Sequence, residues 1–182
     1  ASTDPAVLVT RGSGKFFSNG LDMDWLGANP ERMGEYVDSI HAMFSRLLTL
    51  PVPTVAAVNG HAFGGGAMVA MCHDYRVMRS DRGYFCFPEA DISIPFTPGM
   101  NALITAKLTP QAQMASMLTG RRFGAADALG FGIVDGIEDE TGLVDAAEAM
   151  VRDLAGKDRA TLGTIKSVLF APVVQALAIP YA

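Results

Sequence analysis

The apolar positions Met33, Tyr36, Val37, Ile40, Met43, Phe44, Leu47 and Leu48 recur at steps of three and four, which predicts a helix over residues 31–48 with one buried face. Pro51 and Pro53 close it, because the residue before a proline is pushed out of helical geometry. The unbroken apolar runs at residues 6–10 and 54–58 read instead as buried strands. The first leads into Gly12 and Gly14, the second into an Asn59-Gly60 turn. Residues 64–71 open a further helix, 75–78 a strand and 84–87 another. Strand, helix and strand in that order predict an α/β chain with mostly parallel pairing and right-handed crossovers. Beyond Pro98 helical patterns take over, at residues 100–107, 110–118, 125–129, 143–154 and 159–170. The expected organisation is a core over residues 1–115 followed by a helical region over 116–182. A core strand at the very start suggests that the chain begins partway through a domain.

With 182 residues, 49% apolar and 18% charged, the chain can bury a sizeable core and leave apolar surface for copies of itself. A net charge of −5 without any Lys/Arg cluster argues against a nucleic-acid partner, which needs concentrated positive charge. Cys72 and Cys86 form neither a CxxC pair nor a zinc pattern, and no signal peptide is visible, so a reducing, cytoplasmic setting is expected. The longest uncharged stretch, residues 51–72, is interrupted by prolines and glycines and reads poorly as a membrane span. The terminal Pro180-Tyr181-Ala182 is not a peroxisomal address of the Ser-Lys-Leu kind.

Three segments could carry chemistry. Gly64-Gly65-Gly66, between a strand and a helix, frees backbone N–H groups and lets a ligand approach without meeting a β-carbon. Such donors suit an oxygen on which negative charge develops; the alternative is a tight turn or close helix packing. No Lys-Ser/Thr follows, so this is not a phosphate loop of the Walker type. Phe16-Phe-Ser-Asn-Gly-Leu-Asp22 offers a turn at Asn19-Gly20 and a helix cap at Asp22. In Phe87-Pro-Glu-Ala-Asp-Ile-Ser-Ile-Pro-Phe96, Glu89 stands among apolar neighbours that would raise its pKa and make it a proton acceptor near neutral pH. It could equally be a surface residue, and Asp91 is a competitor two positions on. His41, His61 and His73 lack the spacing of a metal site.

Taken in order, these segments resemble the crotonase superfamily, the enoyl-CoA hydratase and isomerase family. The carrying residues are Phe17-Ser-Asn-Gly-Leu-Asp22, Pro53-Thr-Val-Ala-Ala-Val-Asn-Gly-His-Ala-Phe-Gly-Gly-Gly66, Asp74-Tyr-Arg76, Pro88-Glu89 and Thr119-Gly-Arg-Arg-Phe123. Ala125-Ala-Asp-Ala-Leu-Gly-Phe-Gly-Ile-Val-Asp135 follows them. The resemblance implies a spiral of strand-strand-helix turns, with a carboxy-terminal helical region making oligomer contacts in homotrimers or hexamers. It implies an acyl-CoA thioester as substrate, in fatty acid metabolism and β-oxidation, with coenzyme A part of the substrate and no other cofactor. By position, the N–H groups of Asn19 and Gly65 would hold the enolate oxygen and Glu89 would move the proton. Phe17, Ser18, Gly20, Leu21, Gly64, Gly66, Met68 and Phe96 would surround the substrate.

Hydratases of the family use two glutamates, and Met68 stands where the first would be. One carboxylate suffices to move a double bond, so the resemblance implies conversion of 3-enoyl-CoA to 2-enoyl-CoA. Hydration or thioester hydrolysis with Glu89 or Asp91, and a non-catalytic acyl-CoA-binding or assembly subunit, are the alternatives. The chain looks short at its amino end compared with the family. Arg11, Lys15 and Lys166 could meet the CoA phosphates or be solvated charges.

Overall fold

Each apolar strand that the pattern marks is followed, in the computed structural model, by a shorter strand that turns onto a second sheet. The structure describes residues 5–181, so residues 1–4 of the expected core and Ala182 of the terminal tripeptide lie outside it. The first turn of the spiral comprises β1 (Leu8–Arg11), β2 (Phe16–Ser18), α1 (Met23–Ala28), a short 3-10 turn (Pro30–Arg32) and α2 (Met33–Leu48). The second is β3 (Thr54–Val58), β4 (His61–Phe63) and α3 (Gly65–Met71). The third is β5 (Tyr75–Arg79), β6 (Phe85–Cys86), α4 (Glu89–Ile92) and α5 (Pro98–Lys107). Then come α6 (Pro110–Met117), α7 (Ala125–Gly130), β7 (Gly136–Glu138), α8 (Leu143–Arg152), α9 (Arg159–Leu169) and α10 (Ala171–Leu177).

The larger sheet has the order β1-β3-β5-β7 and the smaller β2-β4-β6, all parallel. In the larger sheet Val9 pairs with Val55 and Val55 with Tyr75. All five residues of β3 are buried, which explains its unbroken apolar run: a parallel strand covered on both faces has no polar side. Val55, Ala57 and Val77 face Leu143, Ala147 and Val151 of α8, while Ala56, Val58 and Met78 face the main core. At the corner between the sheets Asn59 is buried. It accepts from the Gly12 N–H (2.8 Å) and donates to the Gly14 and Phe16 carbonyls (3.2 and 3.3 Å), tying two turns of the spiral together.

On α2 the buried positions are Val37, His41, Phe44 and Leu48, whereas Met43 is exposed. The apolar stripe is thus narrower than the spacing predicts, and His41 sits inside it, its Nε2 2.9 Å from Thr97 Oγ1. Three short strands, β2, β4 and β7, and the helix α10 were not separable in the sequence, and the strand expected at 84–87 is present as the two-residue β6. β7 lies in the segment expected to be helical, yet it pairs with β5 and completes the larger sheet. Among the described residues no single helix is long and apolar enough to cross a membrane. The bent pair α9 and α10 instead packs through α10 onto α5 and α2.

Lys166 is not available to a phosphate. Its Nζ is buried against Asp74 Oδ2 (2.6 Å) and the Val52 carbonyl (2.8 Å), and Asp74 also accepts from the Thr54 N–H (2.8 Å). The pairing docks α9 on the strand ends. Lys166→Met should lower unfolding free energy by on the order of 3 kcal/mol, because it leaves a largely buried carboxylate without its cation. Urea unfolding of both proteins measures this, and an unchanged midpoint would contradict it.

Candidate active site

The three segments singled out by chemistry each leave a strand of the smaller sheet: β2 ends at Ser18, β4 at Phe63 and β6 at Cys86. Parallel pairing sets these carboxyl ends side by side, the usual place for ligands in an α/β sheet.

At the central strand, Gly64 adopts φ +51° and ψ −121°, a region that residues with a β-carbon enter only under strain. Its N–H donates to the Cys86 carbonyl (3.0 Å), so the sheet itself holds the turn. The next N–H, that of Gly65, opens α3 and has no intrahelical acceptor. On the neighbouring segment Ser18 Oγ accepts from the Gly20 N–H (3.3 Å), and the Asn19 N–H has no protein acceptor among the described residues. The two segments abut: a β-carbon on Gly65 would lie 3.5 Å from Gly20 Cα and 3.2 Å from Leu21 Cδ2. At Gly66 a β-carbon would run into the Ser18 carbonyl, so the bare backbone there is what lets α3 close on β2. The loop after Asn19 is anchored by Asp22, whose Oδ1 accepts from the Trp25 N–H (2.9 Å) and whose N–H donates to the Tyr36 hydroxyl (3.1 Å).

Glu89 begins α4, is 8% exposed, and its buried Oε2 has no hydrogen-bond partner. Burial pushes its carboxyl up to about 7, opposed only by its own backbone N–H. A β-carbon on Gly64 would lie 3.4 Å from Glu89 Oε1, which puts this carboxylate against the glycine turn. Asp91 is exposed and turns toward Gly120, away from that turn. Glu89 and Phe96 also line an open pocket of about 630 Å³ on the α4–α5 side. Phe17 and Met68, at 8% and 1% exposure, are packed into the core rather than presented to this pocket. Met68 sits one turn into α3, its N–H on the Gly64 carbonyl (3.0 Å).

The pocket includes two residues the sequence did not mark, Asn101 of α5 and Met117 of α6. Their only signal is tertiary: the Phe85–Phe123 bridge, with N–H to carbonyl bonds of 2.9 Å in both directions, draws the segment after α6 onto β6. His61 lies apart in a cluster with the rings of Phe16, Phe63 and Tyr84, and His73 bonds Thr10 Oγ1 (2.7 Å). Lys15 Nζ stands 5.0 Å over the Phe16 ring, and Arg11 is exposed.

The amino end of α3, the Asn19–Gly20 segment and the desolvated Glu89 carboxylate thus gather around one glycine turn at the strand ends of a strand-strand-helix spiral. The enoyl-CoA hydratase/isomerase family model matches residues 2–179, and the chain belongs to this family. It is 39% identical over 163 residues to enoyl-CoA delta isomerase 3 of Arabidopsis thaliana, covering 86% of this chain and 68% of that protein. It is 38% identical over 165 residues to the peroxisomal enoyl-CoA delta isomerase 2 of the same plant, covering 86% and 69%. A probable enoyl-CoA hydratase from Mycobacterium tuberculosis superposes with a TM-score of 0.85 at 26% identity, covering 94% of this chain and 72% of that one. The chain therefore spans about two thirds of the length of these relatives.

Proposed function

We propose that the chain is an enoyl-CoA isomerase that moves a double bond from the 3 to the 2 position of an acyl-CoA thioester. The observation that carries this reading is the isolation of Glu89, among the described residues the single ionisable side chain lining the pocket and the one carboxylate against the glycine turn. Ionised Glu89 takes a proton from the α carbon. The electron pair moves into the thioester carbonyl, whose oxygen accepts from the Asn19 and Gly65 N–H groups. As the dienolate collapses, the carbon 3–carbon 4 double bond shifts to carbon 2–carbon 3 and the same carboxyl returns its proton to the γ carbon. No water and no redox partner enters, so coenzyme A is present only as part of the substrate. The two delta isomerases of Arabidopsis thaliana support the same reading by their names.

The apolar core around Met68 supports isomerisation over hydration, since a second carboxylate is absent one turn beyond Gly64. Assembly as a homotrimer or hexamer is part of the proposal, and the exposed apolar residues of α9, Ile165, Val168 and Leu169, support it. The deciding assay offers purified protein a 3-enoyl-CoA and, separately, a 2-enoyl-CoA. The expected result is growth of the conjugated absorbance with the first and almost none of its loss with the second. Rapid loss with the second would make the chain a hydratase, and silence with both would reduce it to a binding or assembly subunit.

A further inference from the structure

Because α3 opens on the Gly65 N–H, whatever fixes this helix along its axis also fixes that donor. At the amino end the Gly64 N–H is tied to β6, and Gly66 closes on the Ser18 carbonyl with no room for a β-carbon. At the carboxyl end the bonds converge on His73, a fully buried side chain that the proton transfer does not use. His73 Nδ1 lies 2.9 Å from the Val69 carbonyl in the last turn of α3, and Nε2 lies 2.7 Å from Thr10 Oγ1 on β1. The His73 carbonyl accepts from Lys107 Nζ of α5 (3.0 Å) and from Arg76 Nη1 of β5 (3.1 Å).

The partners fix the direction of each ring bond. A carbonyl can only accept, so the proton sits on Nδ1; in a neutral ring Nε2 is then an acceptor, and the Thr10 hydroxyl donates to it. Burial keeps the ring neutral, pushing its pKa down to about 4. With both nitrogens engaged, His73 is neither acid nor base near neutral pH. It tethers the end of α3 to the larger sheet, where Thr10 pairs with Ala56 of β3. Val69 follows Gly65 by four residues, about 6 Å along the helix. One hydrogen-bonded turn is too short to absorb a slip at the tether.

We infer that His73 is a positioning residue: through the Thr10–His73–Val69 bonds it holds α3 at the height where the Gly65 N–H meets the thioester oxygen. The inference deepens the isomerase reading and rests on it for the task of that N–H. A misplacement of about 1 Å at a reacting group costs about a hundredfold in rate, so loss of the tether falls mainly on kcat.

Two substitutions test this. Thr10→Val keeps the shape of the side chain and removes the hydroxyl, whereas His73→Phe removes both ring bonds and leaves the Val69 carbonyl its bond from the Cys72 N–H (3.2 Å). Each should lower kcat for a 3-enoyl-CoA by about ten- to a hundredfold with KM changed by less than about twofold. Thr10→Ser, which keeps the hydroxyl, should recover most of the loss, and the double variant should lose no more than His73→Phe alone. The rise of activity through about pH 7 should persist, since Glu89 is untouched.

A smaller folded fraction would also depress kcat, so the second readout is spectroscopic. Acetoacetyl-CoA ionises beside an oxyanion donor to an enolate with its own ultraviolet absorbance. The enolate-to-keto ratio per bound ligand at fixed pH should fall about tenfold in both variants. Stoichiometry for saturated octanoyl-CoA should stay parental and its dissociation constant within about threefold, because the ground state leans less on the donor. Parental kcat and enolate ratio in the folded variants, or a loss matched by falling octanoyl-CoA stoichiometry, would overturn the inference. Should His73→Phe fail to fold, Thr10→Val and its serine rescue carry the test. A parent that stabilises the enolate, loses it in these variants and yet moves no double bond would keep the tether and sink the isomerase reading. A parent that isomerises, with both variants unimpaired, would do the reverse.

Discussion

Glu89→Gln is expected to lower kcat/KM for a 3-enoyl-CoA by about a hundred to ten thousand-fold, the contribution of a positioned base. Glutamine has nearly the same shape but cannot take the α proton. In the parent protein, activity should climb as pH rises through about 7, where the carboxyl held up by burial ionises, and level above it. The variant should lose that rise. The same shift acts on stability with the opposite sense. A carboxyl whose folded pKa lies above its unfolded value of 4.5 stabilises the fold below that value, and the contribution is lost as pH rises through about 7. Glu89→Gln should therefore be stabilised relative to the parent at high pH, read by urea unfolding across this window. Full isomerisation by the variant would remove Glu89 from the mechanism.

The second large effect is expected from Gly66→Ala. Its β-carbon would meet the Ser18 carbonyl, and the collision can be relieved only by moving α3 away from β2. The Gly65 N–H moves with α3. Loss of one such donor lowers kcat by about a hundred to a thousand-fold, and overpacking of this kind destabilises by about 1 to 3 kcal/mol. Circular dichroism and thermal melting separate the two, because a folded variant should still show the catalytic loss. Its activity should keep the parent's pH dependence, since Glu89 approaches from β6 on the other side of the turn. A folded Gly66→Ala with parental kcat would place the reacting oxygen elsewhere.

The central strands of the larger sheet, β3 and β5, were legible because they are covered on both faces. β3 reads as an unbroken apolar run, and the structure gives it the predicted bounds, Thr54–Val58. The long helix α2 was visible from its period, although Met43 and His41 exchange the places that hydropathy alone assigns them. Of the smaller sheet only β6 was legible, within the run at residues 84–87. Strands of three residues span too few positions to show an alternation of period two, so β2 and β4 are defined by their pairing in the sheet. Lys166 was not legible for a related reason: nothing in its local sequence marks a partner, and only the fold reveals Asp74 beside it.

The sequence by itself determined the α/β class, the glycine turn, the carboxylate after Pro88 and the lack of an acid at position 68, since each is a property of residue type and local order. Tertiary structure alone decided that the Gly20–Leu21 segment and Glu89 both lie against the Gly64–Gly65 turn, because their strands are brought side by side by parallel pairing across turns of the spiral. It also decided that the Glu89 carboxyl is desolvated, its pKa pushed up to about 7, and that Met117 of α6 lines the same pocket. Desolvation and enclosure depend on the neighbours that folding collects around a group, and those neighbours come from distant parts of the chain.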